Sequence, residues 1–323
     1  MVRMTETTAV QRPPAPDFTT LTHEELITWR TAENRFRASD TARPILGEPD
    51  PDATIGWERI ALPGRELPVR VYRPASGTPA SEDGGAAALP LVLHVHGGGF
   101  VGTAAQCDWA NSHLAAHLPA VVVSVEHRLL APDTPLSDAV ADAWDVLELV
   151  LREPDRWGVD PERVAVFGES CGALISALTA IRAGRTGLRL RAQVLVNPAV
   201  DVTGSLFDYP SMTEYAETAT AGVEQLRLVQ QFSATPGTDP RELSPLYAEF
   251  AGEPAPALVV VPTADPLADH GRRYADRLWT AGVDTHLTEY PDAPHAFLTL
   301  PGLVPQAQAA RTEIFDFLRS TLT

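Results

Sequence analysis

The sequence contains no lysine, since arginine accounts for all 25 basic residues of the 323-residue chain. A chain without lysine cannot form a Schiff base with pyridoxal phosphate and cannot supply the lysine of a P-loop, so both enzyme classes are excluded. The 42 acidic residues give a net charge of −17. Nucleic acids and anionic membrane surfaces bind clustered positive charge, so neither is expected as a partner.

Cysteine is also scarce, with Cys107 and Cys171 the only two. Two cysteines cannot form a disulfide framework, and no CxxC pair indicates structural zinc, so a reducing compartment is favoured. Residues 1–16 are polar and proline-rich where a signal peptide needs an apolar core. No segment approaches the roughly 18 apolar residues of a membrane span. We therefore expect a soluble cytoplasmic protein.

The composition is globular, at 44% hydrophobic and 21% charged residues, which excludes a disordered or fibrous protein. From about residue 55, β-branched runs alternate with amphipathic stretches, a pattern that predicts a largely parallel sheet covered by helices. Strands are predicted at 55–62, 67–72, 91–96, 120–126, 164–168, 192–197, 257–263 and 285–290. Helices are predicted at 109–117, 136–152, 171–182, 267–281 and 306–322.

Two stretches depart from this alternation. In residues 1–50, Thr22 and Glu25 form a capping box that predicts a helix start. Residues 202–250 lie between two predicted strands and contain one predicted helix near 223–232. Insertions of this length in a compact domain are usually lids or binding elements.

One predicted strand runs through the sequence Gly168-Glu169-Ser170-Cys171-Gly172 into a predicted helix. In a nucleophile elbow the serine occupies a strained turn above the sheet, and both glycines avoid collisions with neighbouring backbone. The Gly-x-Ser-x-Gly spacing alone occurs by chance in about one chain in ten of this length. The preceding strand and the following helix therefore carry most of the argument for Ser170 as a nucleophile.

A second motif, His96-Gly97-Gly98-Gly99-Phe100, directly follows another apolar run. Consecutive glycines allow the N–H groups of Gly97 and Gly98 to point at one atom, as the stabilisation of an oxyanion requires. The alternative is a flexible glycine turn, which the downstream elbow makes less favoured.

With these two motifs, the sequence resembles the hormone-sensitive lipase family of α/β-hydrolases over about residues 67–318. Further matching stretches are Arg128-Leu129-Leu130-Ala131-Pro132-Asp133, Ser244-Pro245-Leu246, Asp265-Pro266-Leu267-Ala268-Asp269 and Pro294-His295-Ala296-Phe297. The resemblance implies an α/β-hydrolase fold, an eight-stranded, mostly parallel sheet with helices on both faces and a helical cap. It implies a catalytic core of residues 51–201 and 251–323, with an N-terminal cap segment at 1–50 and a cap insertion at 202–250.

The family also implies a catalytic triad in the chain order serine, acid, histidine. Ser170, Asp265 and His295 supply that order, and Asp265 follows a predicted strand at the carboxyl edge of the sheet, where sites of open α/β folds lie. Asp269 and Asp292 remain alternatives for the acid, although a helix start and a turn explain them more simply. Four other histidines are expected in structural positions, His94 in a strand, His127 in a loop, and His270 and His286 on helix and strand surfaces.

The resemblance further implies an oxyanion hole formed by the backbone N–H groups of Gly97, Gly98 and Cys171. The thiol of Cys171 is expected to be incidental, because this position needs only a small residue and its amide. Glu169 has two interpretations, a structural carboxylate that holds the surrounding loops, which is favoured, or a group that tunes Ser170.

Three departures from the family pattern affect the expected substrate fit. An extra leucine in residues 128–132 predicts a bulged loop. Ala173 and Ala296 replace glycines that commonly follow the elbow and the catalytic histidine, respectively.

The resemblance implies a serine carboxylesterase that hydrolyses a small or medium neutral acyl ester through an acyl-enzyme on Ser170. A small-molecule acyl substrate is the expected partner, no metal or organic cofactor is implied, and a homodimer is an option because family members often dimerise. The same triad could cleave an amide or lactone, or transfer an acyl group. A non-catalytic binding protein is a further alternative, since plant gibberellin receptors resemble this family but lack the catalytic histidine, which is His295 here.

Overall fold

Eight strands form one sheet in the computed structural model, which describes residues 10–75, 87–217, 222–233 and 237–323. The start of the chain, 1–9, lies outside the described residues. The strands are β1 (Ala53–Leu62), β2 (Arg65–Pro74), β3 (Leu89–Val95), β4 (Val121–Val125), β5 (Val159–Glu169), β6 (Ala192–Val196), β7 (Ala257–Ala264) and β8 (Thr285–Pro294).

The sheet is mostly parallel, as expected from the alternating pattern. The strand order is β1-β2-β4-β3-β5-β6-β7-β8, and only the pairings of β2 with β1 and β4 are antiparallel. Every residue of β3, β4 and β6 is buried, as expected for strands covered on both faces. Parallel strands end at the same edge, so the residues that follow β3, β5 and β7 are brought together there.

Ten α-helices surround the sheet in the described residues. They are α1 (His23–Arg37), α2 (Arg43–Leu46), α3 (Asp108–His117), α4 (Leu136–Arg152), α5 (Pro154–Trp157), α6 (Cys171–Thr186), α7 (Pro210–Glu214), α8 (Val223–Ser233), α9 (Ala268–Thr280) and α10 (Gln306–Leu322). Helices α3 and α10 pack on one face of the sheet, whereas α4, α6 and α9 pack on the other. The expected α/β-hydrolase architecture is therefore confirmed.

The two stretches outside the strand–helix alternation meet in one apolar cluster. Helix α1 starts at the predicted capping box, in which Thr22 and Glu25 exchange hydrogen bonds. Leu26 of α1 belongs to the same buried cluster as Leu226 and Val229 of α8, together with Phe100 from the glycine loop. This cluster places α1 and α8 beside the residues that follow β3.

The strands and helices differ from their predicted bounds mainly at their ends. Strand β5 begins at Val159, five residues before the predicted start at 164. Val159 pairs with Leu89 of β3, and a bulge separates this pair from the regular pairing that begins at Val164. Strand β8 continues to Pro294, which pairs with Ala264. Helix α6 continues to Thr186, where Gly187 ends it at a φ of +78°. Among the described residues, no helix combines the length and the apolar character needed to cross a membrane.

Candidate active site

Ser170 lies in a strained turn between β5 and α6, with φ at +54° and ψ at −117°. A Cβ on Gly168 would approach the carbonyl oxygen of Gly172 to 2.3 Å, and a Cβ on Gly172 would approach that of Val95 to 2.1 Å. Both distances are shorter than any real Cβ contact. The two flanking glycines are thus required by the close passage of backbone around the turn, as the elbow motif predicts.

His295 bridges Ser170 and Asp265. Its Nε2 lies 2.8 Å from the Oγ of Ser170, and its Nδ1 lies 2.8 Å from the Oδ2 of Asp265. The geometry fits a tautomer in which Nδ1–H donates to the carboxylate and Nε2 accepts the hydroxyl proton. A general base in this position is within reach of the proton that it would remove.

The carboxylate of Asp265 is fully buried and held in one orientation. Its Oδ1 accepts a hydrogen bond of 2.8 Å from the backbone N–H of Leu267, which leaves Oδ2 for the imidazole. The two alternative acids lie elsewhere. Asp269 accepts from the N–H of Ser211 and pairs with a neighbouring arginine, and Asp292 is exposed near the end of β8 with φ at +58°.

The glycine loop follows β3 at the carboxyl edge of the sheet. The backbone N–H groups of Gly97, Gly98 and Cys171 have no hydrogen-bond acceptor within the part of the chain that the structure describes. Gly98 has a φ of +100°, and a Cβ there would lie 1.6 Å from the carbonyl oxygen of Val101. Glycine is therefore the residue that this position accommodates, and its amide is available to a ligand.

Sequence reasoning missed the side chains that hold the glycine loop. Gln106 donates from Nε2 to the carbonyl oxygen of Gly97 at 3.1 Å, and Nδ1–H of His96 donates to the same oxygen at 3.0 Å. Arg37 donates to Oε1 of Gln106 and to the buried carboxylate of Glu33, each at 2.9 Å.

This chain of hydrogen bonds joins α1 to the glycine loop. Asn34 adds a second link, since its Oδ1 accepts from the N–H of Gly102 at 2.9 Å. The partners lie 68 and 69 residues apart in the sequence, and no motif spans that separation.

Glu169, directly before Ser170, is buried and has few polar partners. The thiol of Cys107 lies 3.7 Å from its Oε1, whereas its Oε2 has no hydrogen-bond partner in the described structure. Burial raises the pKa of Glu169 to about 7, opposed by the Cys107 hydrogen bond and the nearby His295. Burial also raises the pKa of the Cys171 thiol to about 12, so this group stays protonated at neutral pH.

Three buried histidines surround the glycine loop. His96 stacks on His127 with ring centroids 4.2 Å apart, and His94 bonds Ser124. Burial lowers the pKa of His94 and of His96 to about 3, and that of His127 to about 4. At neutral pH all three are therefore uncharged.

The predictions for His270 and His286 have different outcomes. His286 is exposed on β8, as predicted. The prediction for His270 is wrong, since its side chain is fully buried and lies between the N–H of Val200 and the carbonyl oxygen of Leu206. It is covered by the segment that follows β6, including the ring of Tyr209 at 4.5 Å between centroids, which the sequence alone did not indicate.

A cavity of about 320 Å³ opens over Ser170 and His295. Its lining includes the glycine loop, Leu226 and Val229 of α8, and Trp29 of α1. Both stretches outside the strand–helix alternation thus border the cavity.

Two of the three departures from the family pattern lie beside this cavity. Ala296, which lines it, has a φ of +58°, a conformation that glycine adopts more easily. In the loop with the extra leucine, Leu130 is buried and its N–H donates to the carbonyl oxygen of Gly99 at 2.8 Å. That loop therefore supports the third glycine of the motif.

Comparisons with known proteins agree on one family. The model of the alpha/beta hydrolase fold family matches residues 92–299. An ethyl acetate hydrolase of Pseudomonas putida is 31% identical over 297 residues, covering 90% of each chain. The carboxylesterase NlhH of Mycobacterium tuberculosis is 34% identical over 292 residues, covering 86% of this chain and 85% of the relative.

Solved structures give the same result. A hyperthermophilic esterase from the archaeon Pyrobaculum calidifontis superposes with a TM-score of 0.76 at 30% identity, covering 94% of this chain and 93% of the esterase. The carboxylesterase EstE1, cloned from a metagenomic library, superposes with a TM-score of 0.79 at 29% identity, covering 94% and 99% of the two chains.

Proposed function

The chain belongs to the alpha/beta hydrolase fold family, of the hormone-sensitive lipase type, and on this premise we propose that it is a serine carboxylesterase with Ser170 as nucleophile. The observation that carries the proposal is the position of His295, 2.8 Å from both the Ser170 hydroxyl and the Asp265 carboxylate. Relatives named as an ethyl acetate hydrolase and a carboxylesterase support the ester as substrate.

Acylation begins when His295 takes the hydroxyl proton of Ser170 on Nε2 and Oγ attacks the ester carbonyl. Asp265 holds the imidazole orientation and stabilises the imidazolium. The proton then passes from Nε2 to the leaving alkoxide as its bond to the acyl carbon breaks. Water attacks the acyl-enzyme with the same proton route, which releases the carboxylic acid and restores the serine.

The oxyanion formed in both steps is received by the free N–H groups of Gly97, Gly98 and Cys171. Loss of one such donor in a comparable enzyme costs about 2.7–4 kcal/mol of transition-state stabilisation. The Gly98 N–H belongs to the peptide unit whose carbonyl oxygen accepts from Gln106. Gln106 therefore acts as a positioning residue, and Arg37 acts through it.

The cavity supports a small or medium, neutral acyl group. Its volume of about 320 Å³ lies at the low end of the roughly 300–1,000 Å³ typical of ligand pockets. Val229 and Leu226 offer it an apolar wall. Residues 1–50 and 202–250 would together form the cap over a core of 51–201 and 251–323, which α1 and α8 support by bordering the cavity.

A cytoplasmic location is the next part of the proposal. It is supported by Cys107 and Cys171, which are both free and buried.

A homodimer through β8 and α10 is supported by the position of β8 at one end of the strand order. Light scattering of the purified chain tests the dimer, and a monomeric mass would contradict it.

A fluorophosphonate probe and short-chain nitrophenyl esters test the catalytic proposal. The wild type is expected to be labelled and to turn over the esters, whereas Ser170→Ala and His295→Ala lose both. Matched controls are Ser320→Ala and His286→Gln, which alter exposed residues that do not line the cavity and should behave as wild type.

Each other outcome selects a different function. A wild type that is folded but unlabelled would contradict the enzyme and favour a binding protein. Labelling without ester turnover would instead favour the same triad acting on amides or lactones or in acyl transfer. A panel of those substrates and of acceptor alcohols would then identify the reaction.

A further inference from the structure

Asp50, His113 and His117 form a cluster on the side of the molecule where α3 meets the segment before β1. The Oδ2 atom of Asp50 lies 3.3 Å from Nδ1 of His113 and 2.8 Å from Nε2 of His117. One ligand atom from each residue lies within 4.8 Å of the other two. The three atoms are therefore close enough to share one ion.

The cluster is held in place from both sides. His113 and His117 are four residues apart on α3, so their side chains lie on the same face of the helix, and their ring centroids are 4.4 Å apart. Asp50 is fixed by its backbone N–H, which donates to Ser112 at 2.8 Å, and by its Oδ1, which accepts from the N–H of Asp52 at 3.0 Å. Its Oδ2 remains for the two imidazoles.

We propose that Asp50, His113 and His117 form a binding site for a divalent transition-metal cation of the Zn²⁺ class. Two imidazoles and one carboxylate are a usual ligand set for such ions, with water completing the coordination. With bonds of 2.0–2.1 Å, neighbouring ligand atoms of a tetrahedral zinc ion lie about 3.3 Å apart. Asp50 and His113 already have this separation, and the 2.8 Å between Asp50 and His117 would have to widen by about half an ångström.

Access and charge around the cluster also bear on the proposal. The side chain of His117 is 45% exposed, so an ion can reach the site from solvent. His117 is the last residue of α3, and the carbonyl end of a helix favours a cation. The opposing charge is Arg311 of α10, whose guanidinium stacks over Trp109 at 3.8 Å rather than pairing with Asp50.

In a second group, His94, Cys107 and Glu169, the ligand atoms also lie within 4.8 Å of one another, but the side chains are buried. An ion there would therefore have to lose nearly all of its hydration. Burial also keeps the carboxyl of Glu169 protonated up to about pH 7. The solvent-accessible cluster at Asp50 is therefore the stronger candidate.

A bound ion would cross-link segments that are distant in the sequence. Asp50 lies 63 and 67 residues before the two histidines. The same segment follows α2, and Leu46 of α2 lines the cavity over Ser170. The expected effect is on stability rather than on turnover, because none of the three ligands lines that cavity.

Calorimetric titration of ZnCl₂ into the tag-free, chelator-treated protein tests the site, with Co²⁺ absorption as a check on coordination geometry. The wild type is expected to bind one zinc ion saturably and to gain about 3 °C or more in Tm when zinc is near a hundredfold above Kd. His117→Gln and Asp50→Asn should each weaken binding at least tenfold and abolish the Tm gain. His286→Gln removes a comparable exposed histidine beside an aspartate and should bind as wild type.

Three results would overturn the proposal. These are an absence of saturable zinc binding by the wild type, undiminished binding by both ligand variants, and weak millimolar binding that indicates an adventitious ion only. Undiminished zinc binding by both ligand variants would point instead to the second group, which contains Cys107. Ester hydrolysis by chelator-treated His117→Gln is expected to equal that of the wild type, so failure of the metal site and failure of the catalytic proposal are distinguishable.

Discussion

Gln106 donates a hydrogen bond of 3.1 Å to the carbonyl oxygen of Gly97. A trans peptide unit is planar, so its C=O and N–H point in opposite directions. The hydrogen bond from Gln106 therefore fixes the orientation of this peptide unit and directs the N–H of Gly98 away from Gln106. Arg37, which binds Oε1 of Gln106, leaves the NH₂ group of that amide to face the glycine loop.

Gln106→Met is expected to lower kcat for a nitrophenyl ester by about tenfold to a hundredfold, less than the loss of a whole oxyanion donor. The Gly97 carbonyl oxygen keeps its hydrogen bond from His96 but loses the one from Gln106. The N–H of Gly98 is then oriented less well toward the oxyanion of the transition state, whereas binding of the ground-state ester scarcely depends on this N–H. KM should change by less than about threefold on the same argument. Steady-state kinetics at a temperature well below the Tm give both constants.

Gln308→Met is the matched control, because Gln308 also accepts from an arginine but lies on the exposed surface of α10. Arg37→Met should reproduce the kcat defect of Gln106→Met in weaker form. A purely structural role for Gln106 would lower the Tm and leave kcat intact, which would contradict the positioning proposal.

Asp265→Asn should lower kcat by about 10⁴-fold, the loss seen when the acid of a comparable triad is replaced by an amide. The amide would no longer select the imidazole tautomer that accepts the serine proton. Asp269→Asn, on the following helix, should retain kcat within about twofold, because Asp269 bonds the N–H of Ser211 and Arg272 rather than His295. A larger loss with Asp269→Asn than with Asp265→Asn would assign the acid to Asp269.

Gly98→Ala should abolish most activity, by at least about a hundredfold, because the loop must move to relieve the contact of its Cβ with the Val101 carbonyl. Gly204→Ala is the control, since a Cβ there meets no atom within 4 Å. Activity assays and thermal melts distinguish the two variants. Wild-type activity of Gly98→Ala would show that the described loop conformation is not the one used in catalysis.

The free energy of unfolding should fall on acidification from about pH 6.5 to pH 5. His94, His96 and His127 have folded-state pKa values of about 3, 3 and 4, far below the ordinary value of 6.5. The unfolded chain therefore binds more protons than the folded one in this range, and each histidine contributes a slope of up to about 1.4 kcal/mol per pH unit. Glu169, with its pKa raised to about 7, opposes this slope by up to one proton between its unfolded value of 4.5 and 7.

Guanidinium unfolding curves measured across this range give the slope. His94→Asn should reduce it by up to about one proton, whatever its effect on absolute stability, whereas His286→Gln at an exposed position should leave it unchanged. Stability that does not vary over this range would contradict the assignment of three uncharged buried histidines.

The sheet and the main helices were predictable because their signals are local. The β-branched run that precedes Gly168 indicates a buried strand by itself, and Thr22 with Glu25 sets a helix start within four residues. The start of β5 at Val159 was not predictable, since its pairing with Leu89 depends on a bulge between distant segments. The burial of His270 likewise depends on how α9 docks.

The residues of the candidate site also fall into those with local sequence signals and those without. Ser170 and the glycine loop could be proposed from motifs in which every required residue lies within a few positions. The roles of Arg37 and Asn34 could not, because α1 lies far from the glycine loop in the sequence and meets it only in the folded chain. Gln106 has a local signal, a capping box with Thr103, but that pattern predicts a helix start and not the bond to Gly97. Polar residues without a local pattern carry no signal of such contacts in a single sequence.

The link from α1 to the glycine loop limits how this chain can be re-engineered. Exchanging the first 50 residues for those of a relative, a natural way to alter substrate range, would also exchange Asn34 and Arg37. Such chimaeras would mix a change of selectivity with a change of intrinsic reactivity. Grafts that keep these two side chains, and vary only the cavity-facing Trp29, would separate the two properties.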